Sequence, residues 1–395
     1  MYEQDVCIVG AGTSDAFGYD LGKSPLRLQM EAFTNALGDA GLDKSQIDGF
    51  VTAFGSPRGV DYEEFVVSAG LDCRWVHQMQ NHGRWTTTNV ALAALVISAG
   101  LANYVLLANT FLGTRNGYGR HLGPLGSSGA KEGLRDVGGG HGEWDIHGVE
   151  TPGTGTAFGA QRYMEKYGAS AADMGAISVA FREHASRNPM AILRSEPLTI
   201  ESYLKEPVVA GPFRRPDFCL TSEGSVCLIV TSRERARDLR QKPVVIAGFD
   251  GVKASRDDSI LFSRPGLGVG IGREFSYKPE KPQVYAMAGV EQRDIAGLYM
   301  YDAYSSGLWM VLERFGFCDE GGAPAYVRDV GIGLRSHMPV NTNGGLLSEA
   351  HMSGYGHLIE MVRQLRGQAE GRQLPNPRAL QWVVPWGDSL VFTVG

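Results

Sequence analysis

The sequence predicts a layered α/β protein built from two similar halves, and three observations carry that expectation. Short β-rich runs alternate with helix-patterned stretches along all 395 residues, which fits strands and helices packed in layers rather than a bundle or a sandwich. A strand-like run opens each half, DVCIVGAG from residue 5 and PVVIAGFDG from residue 243, and a loop, helix, strand succession then follows in both, over residues 81–109 and 341–385. The composition, 43% hydrophobic and 20% charged, is that of an ordinary globular chain long enough to bury a sizeable core. Two copies of one topology would bring two loops face to face at a pseudo-twofold axis, a natural place for a site.

Taken in order, strands are expected at residues 6–9, 49–52, 104–108, 226–231, 244–247, 298–301, 382–385 and 390–394. The helix expected at 86–98 is apolar on nearly every side, as a helix buried between two sheets must be. Residues 90–108 are apolar enough to imitate a membrane span, but Ser98, Gly100 and Asn103 interrupt them without basic flanks, so they read as a buried helix, a glycine turn and a buried strand. A second helix carries Leu308, Val311, Leu312 and Phe315, and a third Leu358, Met361, Val362 and Leu365, each on the spacing of a single buried face. The expected organisation is an N-terminal half at 1–110 and 220–240, an inserted loop domain at 111–219 with a helix near 158–167, and a C-terminal half at 241–395. Eleven of the residues from Gly123 to Gly155 are glycine, which reads as a flexible surface loop or a lid.

Charge and cysteine usage exclude several classes. A net charge of -6 without long runs of one sign argues against nucleic acid and anionic membranes as partners. Cys7, Cys73, Cys219, Cys227 and Cys318 are odd in number and lack CxxC spacing, which argues against a disulfide framework or zinc module and for a reducing, cytoplasmic setting. The N-terminal MYEQDVCIVG does not read as a secretory signal. VCIVGAGTSD resembles a dinucleotide fingerprint, yet Asp15 stands where a third glycine should and no helix pattern follows at once. GLGVGIG at 266–272 lacks the Lys-Ser/Thr of a phosphate loop, no GxSxG elbow occurs, and the pairs His141/His147 and His351/His357 are spaced wrongly for a shared helical face. No metal site is indicated.

VCIVGAGTSD, EHASRNPMA with PLTIESYL, DAYSSGLWMVLERFGFCDEG and NTNGGLLSEAHMSGYGHLIEMVRQLRG together resemble the thiolase superfamily, specifically its sterol-carrier-protein thiolase branch. The resemblance implies the thiolase fold: two βαβαβαββ halves in an α/β/α/β/α body with a loop domain, assembled as a homodimer. It also implies a cysteine thiolate at the N-terminus of the buried central helix, where unpaired N–H groups and the helix dipole favour an anion. That position falls on Gly83 of NHGRWTTT. The branch's HDCF motif aligns with Tyr301-Asp302-Ala303-Tyr304, so a tyrosine replaces the oxyanion-binding histidine; its GHP motif aligns with Ala350-His351-Met352, and the second catalytic cysteine is absent too.

Without either thiol no acyl-cysteine can form, but enolate chemistry survives. A β-hydroxy acyl-CoA that loses its hydroxyl proton can collapse to a ketone and an acyl-CoA enolate, a retro-aldol cleavage that needs a base, donors at the thioester oxygen and an acid. Tyrosine suits these tasks if its phenol is lowered by a helix N-terminus or a cation. A buried tyrosine is ordinarily a packed ring with one hydrogen bond; Tyr301 and Tyr355 stand out because they coincide with the emptied positions. On this reading Tyr301 and Tyr355 share the acid and base work, His351 is the proton partner or thioester-oxygen donor, and Tyr304 assists. Gly83 and Arg84 are candidates to offer backbone N–H groups to the thioester or CoA. The pattern is similar to the steroid side-chain aldolases, which cleave a 17-hydroxy steroid acyl-CoA to a 17-ketosteroid and propionyl-CoA. That resemblance implies CoA as part of the substrate with no separate cofactor, and a small OB-fold and zinc-ribbon partner protein in a heteromeric complex. A non-catalytic subunit that binds acyl-CoA or lipid would also account for the missing cysteines.

Two outcomes are expected at this level. Tyr355→Phe should abolish turnover while thermal unfolding shows an intact fold. Alkylation of the five cysteines should not produce the rapid, site-specific loss of activity that marks a thiolate nucleophile.

Overall fold

A computed structural model describes residues 5–53, 55–56, 59–79, 85–113, 152–251 and 282–395. Its strands are β1 (Val6–Thr13), β2 (Gly49–Thr52), β3 (Trp75–Gln78), β4 (Tyr104–Leu112), β5 (Val208–Ala210), β6 (Phe213–Arg214), β7 (Glu223–Ser232), β8 (Val244–Asp250), β9 (Ile295–Met300), β10 (Ala379–Val383) and β11 (Ser389–Val394). The helices are α1 (Pro25–Ala40), α2 (Tyr62–Ala69), α3 (Thr86–Ser98), α4 (Pro152–Tyr167), α5 (Ala171–Ser186), α6 (Ile200–Lys205), α7 (Arg233–Ala236), α8 (Gln283–Ala288), α9 (Gly307–Arg314), α10 (Ala323–Asp329), α11 (Gly345–Ser348) and α12 (Tyr355–Arg366). Residues 83 and 84, the GLGVGIG run and most of the glycine-rich stretch lie outside the described residues.

Nine strands form one sheet in the order β3-β2-β4-β7-β1-β8-β11-β10-β9, and β5 pairs with β6 apart from it. The repeat seen in the sequence is visible in this order. Outward from the centre, β1-β7-β4-β2 and β8-β11-β10-β9 take the same senses at each step: antiparallel, antiparallel, parallel. The halves join where β1 and β8 pair antiparallel, Cys7 opposite Val245 and Ile8 opposite Val244.

Alternation along each strand divides the core in two. Val6, Ile8, Val105 and Leu107 face a cluster shared with α3 and α12, whereas Cys7, Val9, Leu106 and Ala108 face a second cluster that includes α1. α3 touches β1, β4 and β7 of its own half and also β8, while α12 touches β8 to β11 and also β1 and β7. Both helices thus lie against strands of both halves, but the expectation of a helix buried between two sheets is corrected: the strands form one continuous sheet, and Leu95 of α3 stands 50% exposed on the helix's outer side. These contacts also correct the expectation of single-faced helices. α12 buries His357, Glu360 and Gln364 along with its apolar stripe, and α9 buries Glu313 and Arg314. Each of these side chains meets a partner: Glu360, for example, takes two hydrogen bonds from Arg372, at 3.1 and 2.9 Å, and one from Thr342 at 2.8 Å.

The central strands run longer than their apolar cores suggested, and β10 starts three residues earlier than expected and ends two earlier, at 379–383, short of Pro385, which cannot extend the ladder. In β1 the glycines that imitate a dinucleotide fingerprint serve packing. A Cβ on Gly12 would stand 2.3 Å from the Ala32 carbonyl oxygen and Ala36 nitrogen of α1, so the helix lies directly on the strand.

Between α11 and α12 the backbone is strained: Ser353 has φ 51° and Gly354 φ 90°. A Cβ on Gly354 would lie 2.3 Å from the Trp382 ring. Gly354→Ala should thus cost at least about 2 kcal/mol of stability by chemical denaturation; an unchanged midpoint would contradict this packing.

Candidate active site

The candidate residues are gathered by two chain segments, the turn from β9 into α9 and the loop from Asn341 to α12. Tyr301 follows the last residue of β9 and still donates its N–H to Val383 of β10 at 3.1 Å, so its ring is aimed by the sheet. Asp302 is fully buried and accepts from the N–H groups of Leu346 (3.0 Å) and Leu347 (3.3 Å) and pairs with His357 Nε2 at 3.0 Å. One carboxylate thereby ties the turn after Tyr301 to α11 and α12. Asp217 supports the other side, accepting from the Ser305 hydroxyl at 2.6 Å and the Tyr203 hydroxyl at 2.7 Å.

Tyr301 and His351 come together. The tyrosine hydroxyl lies 3.5 Å from His351 Nε2, at the long edge of a hydrogen bond. Both side chains keep a sliver of accessibility, 7% and 6%. Phe111 of β4 packs 4.9 Å from the His351 ring, and Trp386 packs 6.4 Å from Tyr301, ring centre to ring centre. Phe111 belongs to the N-terminal half, so the pair sits where the halves meet.

Tyr355 is completely buried at the first position of α12, and its oxygen accepts from Asn89 Nδ2 of α3 at 3.0 Å. The expectation of a lowered phenol is corrected here: burial pushes Tyr355 well above the ordinary tyrosine value, with Asn89 opposing and Cys227 reinforcing the rise. A phenol so placed holds its proton, which suits a donor rather than a resting base. Tyr304 goes elsewhere. Its ring is stacked on Phe213 at 5.6 Å and stands edge-on to Phe218 at 5.7 Å, in the second apolar cluster rather than the one that holds Tyr301 and Tyr355. Gly83 and Arg84 fall outside the described residues.

Sequence reasoning missed the side chains that hold this loop. Four groups of the N-terminal half bond to residues 351–355: Ser222 Oγ accepts the His351 N–H at 2.8 Å, Asn109 Nδ2 donates to the Met352 carbonyl at 3.0 Å, the Thr86 hydroxyl donates to the Ser353 carbonyl, and Asn89 reaches Tyr355. The available signal was polar residues inside apolar runs, TTTN at the start of α3 and Asn109 within LLANTFL.

The cysteines offer no nucleophile. Burial pushes Cys7 and Cys73 up to about 11 and Cys219 and Cys318 up to about 12, and raises Cys227 as well. Among the described residues no group of three or more His, Cys, Asp or Glu could hold a metal ion, and no helix is long and apolar enough to cross a membrane. Tyr301 and His351 thus form one pair of proton-bearing groups and Tyr355 a separate buried phenol, and the raised cysteines leave no thiolate to form a thioester with the protein.

Residues 279–382 match the family described as Thiolase C-terminal domain-like. The chain is 33% identical over 372 residues to 17-hydroxy-3-oxo-4-pregnene-20-carboxyl-CoA lyase of Mycobacterium tuberculosis, covering 93% of each. It is 30% identical over 371 residues to the steroid side-chain-cleaving aldolase of Thermomonospora curvata, covering 91% of this chain and 90% of that one. Among solved structures, the Ltp2-ChsH2(DUF35) aldolase superposes with a TM-score of 0.85 at 26% identity, over 100% of this chain and 98% of that one. Human mitochondrial 3-ketoacyl-CoA thiolase superposes with a TM-score of 0.67 at 14% identity over the whole of both chains, a likeness of fold. The protein belongs to the thiolase superfamily, in the branch that holds the Mycobacterium lyase and the Thermomonospora aldolase.

Proposed function

We propose that the chain is a carbon–carbon lyase that cleaves a β-hydroxy acyl-CoA by a retro-aldol reaction, with a 17-hydroxy steroid acyl-CoA as substrate and a 17-ketosteroid and propionyl-CoA as products. The observation that carries this reading is the Tyr301–His351 contact at positions where a thiolase would act, in a chain whose five thiols are all held protonated. Its likeness to a named lyase over 93% of its length gives the substrate class.

The steps follow from the chemistry of the groups. A base removes the proton of the carbinol hydroxyl, the oxygen lone pair becomes the carbonyl of the ketone, and the carbon–carbon bond breaks toward the thioester, leaving an enolate. Tyr301 serves as that base, with His351 Nε2 beside it to carry the proton or to support the thioester oxygen. Tyr355 then supplies a proton to the enolate carbon. Buried phenol favours the neutral form until a stronger base appears, and an enolate is one. Tyr304 assists by shaping the β9–α9 turn. Gly83 and Arg84 remain candidates for holding the thioester or CoA.

CoA enters as part of the substrate, with no separate cofactor. The assembly proposed is a cytoplasmic homodimer joined by a small OB-fold and zinc-ribbon protein in a heteromeric complex; the heteromeric part of this reading is supported by the Ltp2-ChsH2(DUF35) aldolase, to which this fold is similar.

The test is an assay of the purified protein, alone and with that partner, on a 17-hydroxy steroid acyl-CoA. Mass spectrometry should find ketosteroid and propionyl-CoA released in equal amounts, and Tyr301→Phe should lower kcat by about 100-fold or more. Saturable acyl-CoA binding without cleavage by either preparation would contradict the proposal in favour of a binding subunit.

A further inference from the structure

Asn89 and Tyr355 are 266 residues apart in sequence and lie on the two central helices, one from each half. Both are completely buried. Their surroundings are apolar, with Val90, Ala93 and Ala94 on one helix and Leu358 and Ile359 on the other. The Asn89 amide donates to the phenolic oxygen, and its own carbonyl oxygen has no partner among the described residues. Buried amides that serve only packing are ordinarily satisfied at both ends. This one leaves its acceptor unmet while its donor is spent on a tyrosine oxygen. Because that oxygen is already accepting, the phenolic proton points away from Asn89, and no described residue takes it.

We propose that Asn89 is a positioning residue for the lyase reaction: it fixes the Tyr355 phenol and stabilises the charge left on its oxygen when the proton is given to the enolate. The proposal rests on the reading of Tyr355 as proton donor. In the step itself the Tyr355 O–H bond breaks, the enolate electron pair forms the new C–H bond, and the phenolate is reprotonated by the proton that the base took from the substrate hydroxyl. A hydrogen bond to an anion is roughly twice as strong as one to a neutral oxygen, so the amide favours the charged state selectively. Cys227 of β7 is the titratable group that bears on this phenol from the sheet, and it acts in the opposite sense. No cation among the described residues shares the task with Asn89.

Asn89→Leu removes the donor at similar volume, and Asn89→Gln retains one. The first should lower kcat about 10- to 100-fold with KM within about twofold, and the second should recover part of that loss. In a Tyr355→Phe background, Asn89→Leu should change the residual rate by less than about twofold, because the oxygen it serves is gone. Independently of turnover, the ring-carbon NMR signal of tyrosines labelled at Cζ, with Tyr355 identified by its loss in Tyr355→Phe, should move in Asn89→Leu. An active protein whose kcat ignores Asn89→Leu, or a loss that is equally large without the Tyr355 hydroxyl, would overturn the positioning role. An inactive wild-type protein whose Tyr355 signal still depends on Asn89 would instead overturn the lyase reading on which the role rests.

Discussion

Thr86, Asn89, Asn109 and Ser222 in the N-terminal half hydrogen-bond to residues 351–355 in the C-terminal half, and the rest of the site depends on that interlock. The segment it holds contains two consecutive residues of positive φ, Ser353 and Gly354, a conformation that persists only when its surroundings over-determine it. Each buried bond contributes modestly when made, but leaving its partner unsatisfied costs about 1–3 kcal/mol. Together they fix where His351 meets Tyr301 and where α12 begins with Tyr355. The β1–β8 pairing at the centre of the sheet brings the halves close enough for this, and the four bonding side chains are buried where α3 and α12 touch strands of both halves.

This interlock also explains how a thiolase scaffold can change chemistry without changing shape. α3 and α12 are joined by the Asn89–Tyr355 hydrogen bond, and nothing in that packing requires a thiol. In the proposed reaction Tyr301 and Tyr355 work as oxygen acids in a chain that lacks the thiols a thiolase relies on. Oxygen acids can take and give protons on either side of a bond that breaks by its own electron flow, and that reaction needs no acyl-enzyme. Loss of nucleophilic catalysis and gain of retro-aldol cleavage are thus two descriptions of one substitution pattern.

Much of the fold was legible because it rests on local periodicity. The strands that open each half, the all-apolar helix at 86–98 and the stripes of α9 and α12 were each visible as runs of the right period, and the two-half topology followed from their order. α1 was missed although Ser24 caps it and Pro25 opens it, because its apolar residues stand beside glycine-rich sequence that imitates a fingerprint. β3 was missed because WVHQ is a short, half-buried edge strand. In the candidate site, Tyr301, Tyr355 and His351 were singled out from the motif positions they align with, and the structure brings Tyr301 and His351 together. The bonds that position these residues were not singled out, since they join residues 129 to 267 apart in sequence, and no local pattern encodes such a partner. The sign of the Tyr355 shift was misjudged for the same reason: a helix N-terminus can be read from sequence, but complete burial between two helices cannot.

The central claim is that the carbon–carbon bond breaks to an enolate without any covalent attachment to the protein, and cleavage run in deuterated water tests it most directly. The account predicts one deuterium at the α-carbon of each propionyl-CoA released, together with an intact-protein mass that never gains an acyl group during turnover. Propionyl-CoA lacking that deuterium, or a protein carrying an acyl adduct that forms and decays at the rate of turnover, would contradict it.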